Sequence, residues 1–171
     1  RNTFSISNQS RSILEGEDSA SGFKTIHYNK QKQTEYTTYT NPFSLEEEGA
    51  HIIQYTGYDN LDNSSSEKIE CIVDNKGPSI HHRFSMPSRG TKNMEGNQVP
   101  VLPAHAMLFL SATDTLVGLE QVSYELNGDH QQSYQGAIKG FEPGTSYQIH
   151  VTATDKLGNT REQMIRFYVE K

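Results

Sequence analysis

Apolar and polar residues alternate with a period of two along most of this chain. In 122–126, Val122, Tyr124 and Leu126 share one side, and Ser123 and Glu125 the other. Leu108, Leu110 and Ala112 alternate in the same way, as do Ile165, Phe167 and Val169. The first half carries Ile26 with Tyr28, then Ile69, Cys71 and Val73. Alternation of this kind, broken by turn residues at short intervals, predicts half-buried antiparallel strands. Asn127-Gly128 and Gly158-Asn159 mark reversals, because Gly and Asn tolerate positive φ. Glu142-Pro143-Gly144 and Glu47-Glu48-Gly49 mark the entry to a penultimate strand in each half. Only 45–48 could form a helical turn, and Gly49 follows too closely for it to grow. A strand is expected at 79–85, followed by a polar, Gly/Pro-containing excursion over 86–104.

These elements occur twice. Displaced by 96 positions and without a gap, Leu14 meets Leu110, Asp18 meets Asp114, Gly22 meets Gly118 and Tyr28 meets Tyr124. Asp59, Leu61 and Asn63 likewise meet Asp155, Leu157 and Asn159, and Ile69 and Val73 meet Ile165 and Val169. A period of about 100 residues is the size of one immunoglobulin-like sandwich. The expected fold is therefore all-β, two tandem immunoglobulin-like antiparallel β-sandwiches. The first covers residues 1–76 and is shortened at its start; the second covers 77–171. The opening strand of the first copy is truncated or supplied by residues 3–7. Gly77 and Pro78 separate the copies, and so short a linker predicts domains held end to end.

Strand phase also assigns the core. Ile26, Tyr28, Ile53, Ile69, Cys71 and Val73 are expected inward in the first copy. In the second, Leu108, Leu110, Val122, Tyr124, Ile149, Val151, Ile165, Phe167 and Val169 are expected inward, with Ser123, Glu125 and Arg166 outward. Cys71 is in phase with Ile69 and Val73, so it reads as a small buried hydrophobe. The lone cysteine forbids an internal disulfide.

Composition narrows the function classes. Hydrophobic residues are only 33% of the 171, which suits thin two-layer cores. The net charge of −6 argues against nucleic acid as a partner and is compatible with cations. No apolar run approaches the ~20 residues that span a bilayer. The chain opens on Arg1, which reads as a fragment or processed product.

Four segments of the first copy resemble a family of bacterial immunoglobulin-like repeats, one branch of which is named from a leptospiral outer-surface protein. They are SGFKTIHY at 21–28, YTNPFSLEEEGAH at 39–51, YDNLDN at 58–63 and VDNKGP at 73–78. Asp62 stands where that family usually has glycine. The second copy keeps ATDTLVGLEQVSYELNG at 112–128 and ATDKLGN at 153–159 but lacks the Pro-Phe connection. The resemblance implies a non-catalytic module of a bacterial cell-envelope (periplasmic or outer-surface) or secreted protein. It implies no particular ligand, since such repeats occur in adhesins, in envelope proteins and beside secreted glycosidases.

The sharpest polar constellation is Asp74, Asn75, Asp114, Asp155 and Asn159. Two readings apply. Aspartates at turn starts accept backbone N–H bonds, with Asn159 the left-handed residue of its hairpin and no cofactor needed. Alternatively, these oxygens converge near the domain junction on a Ca²⁺ ion, which takes six to eight oxygen ligands. No EF-hand loop is present. His81 and His82 are adjacent on a strand and point to opposite faces, so they form no metal pair. No serine sits in a Gly-x-Ser-x-Gly elbow, and no phosphate loop appears; the chain does not read as an enzyme. Tyr36, Tyr39, Tyr58 and Tyr168 are sheet-surface residues or stacking faces. Zero tryptophans lower the odds of a carbohydrate module. The leading reading is a two-domain spacer whose partners are other domains of its parent protein. The runner-up is a binding module for an extracellular protein or a polysaccharide, adhesin-like or accessory to a glycosidase.

Overall fold

The computed structural model describes residues 3–30 and 33–171. The chain divides into two compact units, Arg1–Asn75 and Lys76–Lys171. Every regular element among the described residues is a strand. The turn foreseen at 45–48 stays non-helical, and Leu45 is buried in the core instead.

The first unit holds β1 (Phe4–Ile6), β2 (Phe23–Lys30), β3 (Thr37–Thr38), β4 (Gly49–Asp59) and β5 (Ser64–Val73). They form one sheet in the order β1-β5-β4-β2-β3. The second holds β6 (Ser79–Phe84), β7 (Gly90–Met94), β8 (Asn97–Leu102), β9 (Leu108–Thr113), β10 (Leu119–Leu126), β11 (Gln132–Ser133), β12 (Ser146–Asp155) and β13 (Thr160–Val169). Its sheets are β11-β10-β12-β13-β8-β7 and β6-β9. Two sheets enclosing one core make this an immunoglobulin-like β-sandwich. Pairing is antiparallel except β1 with β5 and β8 with β13, which run parallel.

The 96-residue period reappears in the backbone. Register slips between Phe23 and Thr25 in β2, and again between Leu119 and Gln121 in β10. β1 pairs Ser5 with Ile72, and β8 pairs Val101 with Tyr168. Residues 3–7 thus occupy the place of the end of β8, and supply no counterpart of β6. The excursion at 86–104 is a hairpin, β7–β8, turned by Glu95 (φ 51°) and Gly96 (φ 85°). Both faces of β7 are mostly exposed, so its sequence carries no alternation to read.

The core follows the phase. Ile26, Ile53, Cys71 and Val73 are buried, with Tyr28 and Ile69 half-buried. Leu108, Leu110, Val122, Ile149, Val151, Ile165, Phe167 and Val169 are buried, and Tyr124 half-buried. Phe167 is packed by Phe84, Phe141 and Tyr147, with ring centroids 4.9–5.3 Å away. Arg166 is exposed and Glu125 half-buried, but Ser123, expected outward, is 3% exposed. β11 covers it: Ser123 pairs with Ser133, and its hydroxyl accepts from Gln131 at 2.7 Å.

Candidate functional site

The hairpin after β4 in the first unit and the hairpin after β12 in the second are each built on one aspartate. In the second unit, Asp155 Oδ1 accepts the N–H groups of Leu157 and Asn159 at 2.8 Å each. Asp155 Oδ2 accepts from Asn159 Nδ2 at 2.7 Å. In the first, Asp59 Oδ1 accepts from the N–H groups of Leu61 and Asn63, at 2.9 and 2.8 Å, and Oδ2 from Asn63 Nδ2 at 2.7 Å. The backbone closes identically, with Asp59 N–H to Asn63 O and Asp155 N–H to Asn159 O, both 3.0 Å. Asx side chains mimic backbone in such turns. The left-handed residue is Gly158 (φ 86°) and, in the first unit, Asp62 (φ 65°). Asn159 was expected in that conformation. It instead sits one residue later and donates its side-chain amide.

The second aspartate of each unit caps the preceding loop. Asp114 Oδ1 accepts from Leu116, Val117 and Gly118 N–H at 3.2, 2.9 and 2.7 Å. Asp18 Oδ1 accepts from Ala20 and Gly22 N–H at 2.9 and 2.8 Å. These bonds hold the Asp18 carboxyl below its ordinary pKa. The two loops then tie to the two hairpins: Asn60 N–H donates to Gly22 O, and Lys156 N–H to Gly118 O.

The two loop systems differ at Ser21. In the first, Ser21 Oγ donates to Asp59 Oδ2 at 2.6 Å and stands 3.3 Å from Asp18 Oδ1, linking the two carboxylates. The Ser21 hydroxyl, then the Asn63 side chain, lower the Asp59 pKa to about 2. Ninety-six residues on, the chain has Val117. There a carboxylate oxygen of Asp114 and one of Asp155 lie within 4.8 Å of each other, with Asp155 buried and Asp114 half-buried.

The other two residues of the constellation close the first unit. Asp74 is buried, and its N–H donates to Ile6 O at 3.0 Å. Asn75 Oδ1 accepts from Asn8 N–H at 2.6 Å, and its own N–H donates to Glu48 at 3.1 Å. Cys71 is buried, which raises its thiol pKa. Among the described residues, no helix is long and apolar enough to cross a membrane.

One feature escaped the sequence reading. A cavity of about 380 Å³ opens in the first unit beside Asp18 and Asp59. Its lining includes Glu15, Glu17 and Glu67, with Phe23 43% exposed at its side.

No family model matches the chain, and no curated protein sequence matches it. Several solved structures are similar. The fibronectin(III)-like modules of CbhA from Clostridium thermocellum are 10% identical, with a TM-score of 0.40 over 98% of this chain and 90% of that one. Mouse clustered PcdhgC3 EC1-3 is 14% identical, with a TM-score of 0.42 over 99% of this chain and 65% of that one. A Ca²⁺-stabilized, ice-binding adhesin of an Antarctic bacterium is 14% identical, with a TM-score of 0.37. The chain spans just under two thirds of the mouse protein and 46% of the adhesin. The fold assignment stands on the strand pairing described above.

Proposed function

We propose that this chain is a non-catalytic structural and interaction module, a tandem spacer from a bacterial cell-envelope or secreted protein. One observation carries the reading. The polar residues that recur at 96 positions, Asp18, Asp59 and Asn63 with Asp114, Asp155 and Asn159, all spend their hydrogen bonds on turns. Repetition here preserves a scaffold, and fold alone specifies no chemistry. The bacterial immunoglobulin-like repeat family is the source this reading favours, on the segments at 21–28, 39–51, 58–63 and 73–78. The alternative within the same class is a ligand-binding module, for an extracellular protein or a polysaccharide.

The test is a binding panel of extracellular matrix proteins and polysaccharides, run on the whole chain by surface plasmon resonance. A spacer gives no saturable binding up to high micromolar concentration. Saturable binding by one class selects the alternative. Turnover of any panel member, abolished by a single substitution, overturns the non-catalytic reading.

A cation forms a second reading, favoured by the carboxylate oxygens of Asp114 and Asp155 within 4.8 Å of each other. In the first unit a hydroxyl links the equivalent pair. In the second, a hard cation such as Ca²⁺ would offset the same repulsion. Asp114 Oδ1 and both Asp155 oxygens already accept N–H bonds, so carbonyls and water would supply most of the ligands.

A further inference from the structure

We propose that the outer face of the first unit's sheet binds a neutral, extended oligosaccharide laid over Tyr36 and Tyr58. The inference rests on the interaction-module reading and narrows its ligand-binding alternative. Strand pairing defines the face. Ile26 and Ile53 turn into the core, so the residues between them in phase turn outward. The central cross-strand row is Thr38, His27, Thr56 and Ser66. In the row on one side, Tyr58 stands between Thr25 and Ser64. In the row on the other, Gln54 stands between Asn29 and Lys68.

Tyr36 is two residues before Thr38 and 51% exposed. It closes one side of a hollow of about 360 Å³ with Gln54, Thr56, Ser66 and Lys68. A second hollow, of about 240 Å³, lies beside Tyr58, His27, Thr25 and the Lys24–Asp62 pair. The His27 ring meets the Tyr58 ring edge-on at 5.5 Å and steadies it on the face. Tyr36 borders Gln54 and Thr56, so two to four residues of β4 separate the two tyrosines, about 7–13 Å at strand rise.

Hydroxyls and an amide fill the interval. Thr56 and Ser66 share one hydrogen bond at 2.8 Å, which leaves one hydroxyl hydrogen and further lone pairs outward. Gln54 is exposed and offers both a donor and an acceptor. A sugar matches both features: its hydroxyls need donors and acceptors, and its C–H faces need the faces of aromatic rings. Reaching both tyrosines takes an extended chain of several sugars. Charge selects a neutral one. All of the chain's net charge of −6 lies in residues 1–75. On this face, however, Lys24 pairs with Asp62 and Lys68 with Glu70. The face is therefore neutral on an acidic unit, which repels carboxylated or sulfated sugars.

The second unit shows that this face lies outside the shared scaffold. By strand pairing, Ser123 stands where His27 does, Thr154 where Tyr58 and Glu162 where Ser66. Gln131 takes the place of Tyr36. It bonds to the buried Ser123 at 2.7 Å, and His150 meets Glu162 at 3.1 Å, so that face is closed by its own bonds. The turn aspartates recur between the units, and these residues do not.

The probes are cellohexaose and xylohexaose, titrated into the ¹⁵N-labelled chain, with hexagalacturonate as the charged control. Saturable 1:1 binding of at least one neutral hexamer is expected, with shifts gathered at 24–27, 36–38, 54–58 and 64–68. Tyr36→Gln and Tyr58→Thr install the second unit's residues and should each weaken binding about tenfold. If Tyr58→Thr does not fold, Tyr36→Gln, at an exposed position, carries the test. No shifts at millimolar neutral hexamer, tighter binding of hexagalacturonate, shifts confined to the second unit, or unchanged affinity in Tyr36→Gln would each overturn the proposal. Hydrolysis of a bound hexamer would overturn the non-catalytic reading and keep this face as its binding site, so either idea can fail without the other.

Discussion

The Ser21 hydroxyl donates to the Asp59 carboxylate at 2.6 Å, and Val117 occupies the matching place in the second unit. At this position the first loop system has a hydroxyl and the second an apolar side chain. In one, the paired carboxylates share a hydroxyl; in the other, an oxygen of each lies within 4.8 Å of an oxygen of its partner.

The first prediction concerns acid. The folded pKa of Asp59, about 2, lies below its ordinary 3.8. Its contribution to stability is therefore full above the ordinary value and lost as the pH falls towards 2. Ser21→Ala removes the largest cause and should return the Asp59 pKa towards 3.8. Acid unfolding of the first unit should then begin at higher pH than in wild type. Carboxyl-detected NMR titration measures the first effect, and circular dichroism against pH the second.

Asp155→Ala leaves two backbone N–H groups and one side-chain amide without their acceptor in a partly exposed hairpin. Charged hydrogen bonds of this kind contribute about 1.5–3 kcal/mol each in favourable cases, and partial solvation reduces the loss. An overall cost of about 2–3 kcal/mol to the second unit is expected, read as a lower urea midpoint at unchanged slope.

The cation reading makes its own forecast. Millimolar Ca²⁺ should raise the melting midpoint of the second unit relative to chelator, because an ion bound only by the folded state stabilises it. Val117→Ser should shrink that rise by supplying the hydroxyl that the first unit has. No calcium dependence in wild type would leave Asp114 and Asp155 as turn caps alone.

Asp62 holds φ 65° where Gly158 holds 86°. Aspartate tolerates this region better than most residues, but glycine adopts it without strain. Asp62→Gly should stabilise the first unit by about 0.5 kcal/mol, offset in part by the exposed ion pair that Asp62 makes with Lys24. Chemical denaturation checks it.

Calorimetry should resolve two transitions, with the first unit melting at the lower temperature because its buried cluster is so much smaller. Phe167→Ala empties a fully buried site among three aromatic rings. Such truncations cost about 3–5 kcal/mol. The upper transition should fall by many degrees and the lower should hardly move. Cys71, at the matching place, should tolerate Ala far better.

The strands and the core were legible because one face of each is buried, so period-two alternation fixed the phase at Ile149, Val151 and Phe167. Where both faces share the same environment the signal vanishes. Lys92 and Asn93 of β7 are exposed together, and Val122 and Ser123 of β10 are buried together. The aspartates stood out through their repetition. Which donors they bind was not readable, because that depends on a turn closing at Gly158 and not at Asn159. The acidic cavity was invisible for another reason. Leu14 and Asp18 are the same residues as Leu110 and Asp114, and those letters do not report what packs beside them.

The parallel run of Phe4–Ile6 beside Cys71–Val73 has a mechanical consequence. The start of Phe4–Ile6 and the end of Cys71–Val73 lie at opposite ends of this parallel pair. Tension applied between those two ends drags the strands past one another. Their hydrogen bonds must then break together in shear, where an antiparallel pair pulled from one end would unzip bond by bond. A unit wired in this manner resists stretching at its ends even though its interior is sparsely filled.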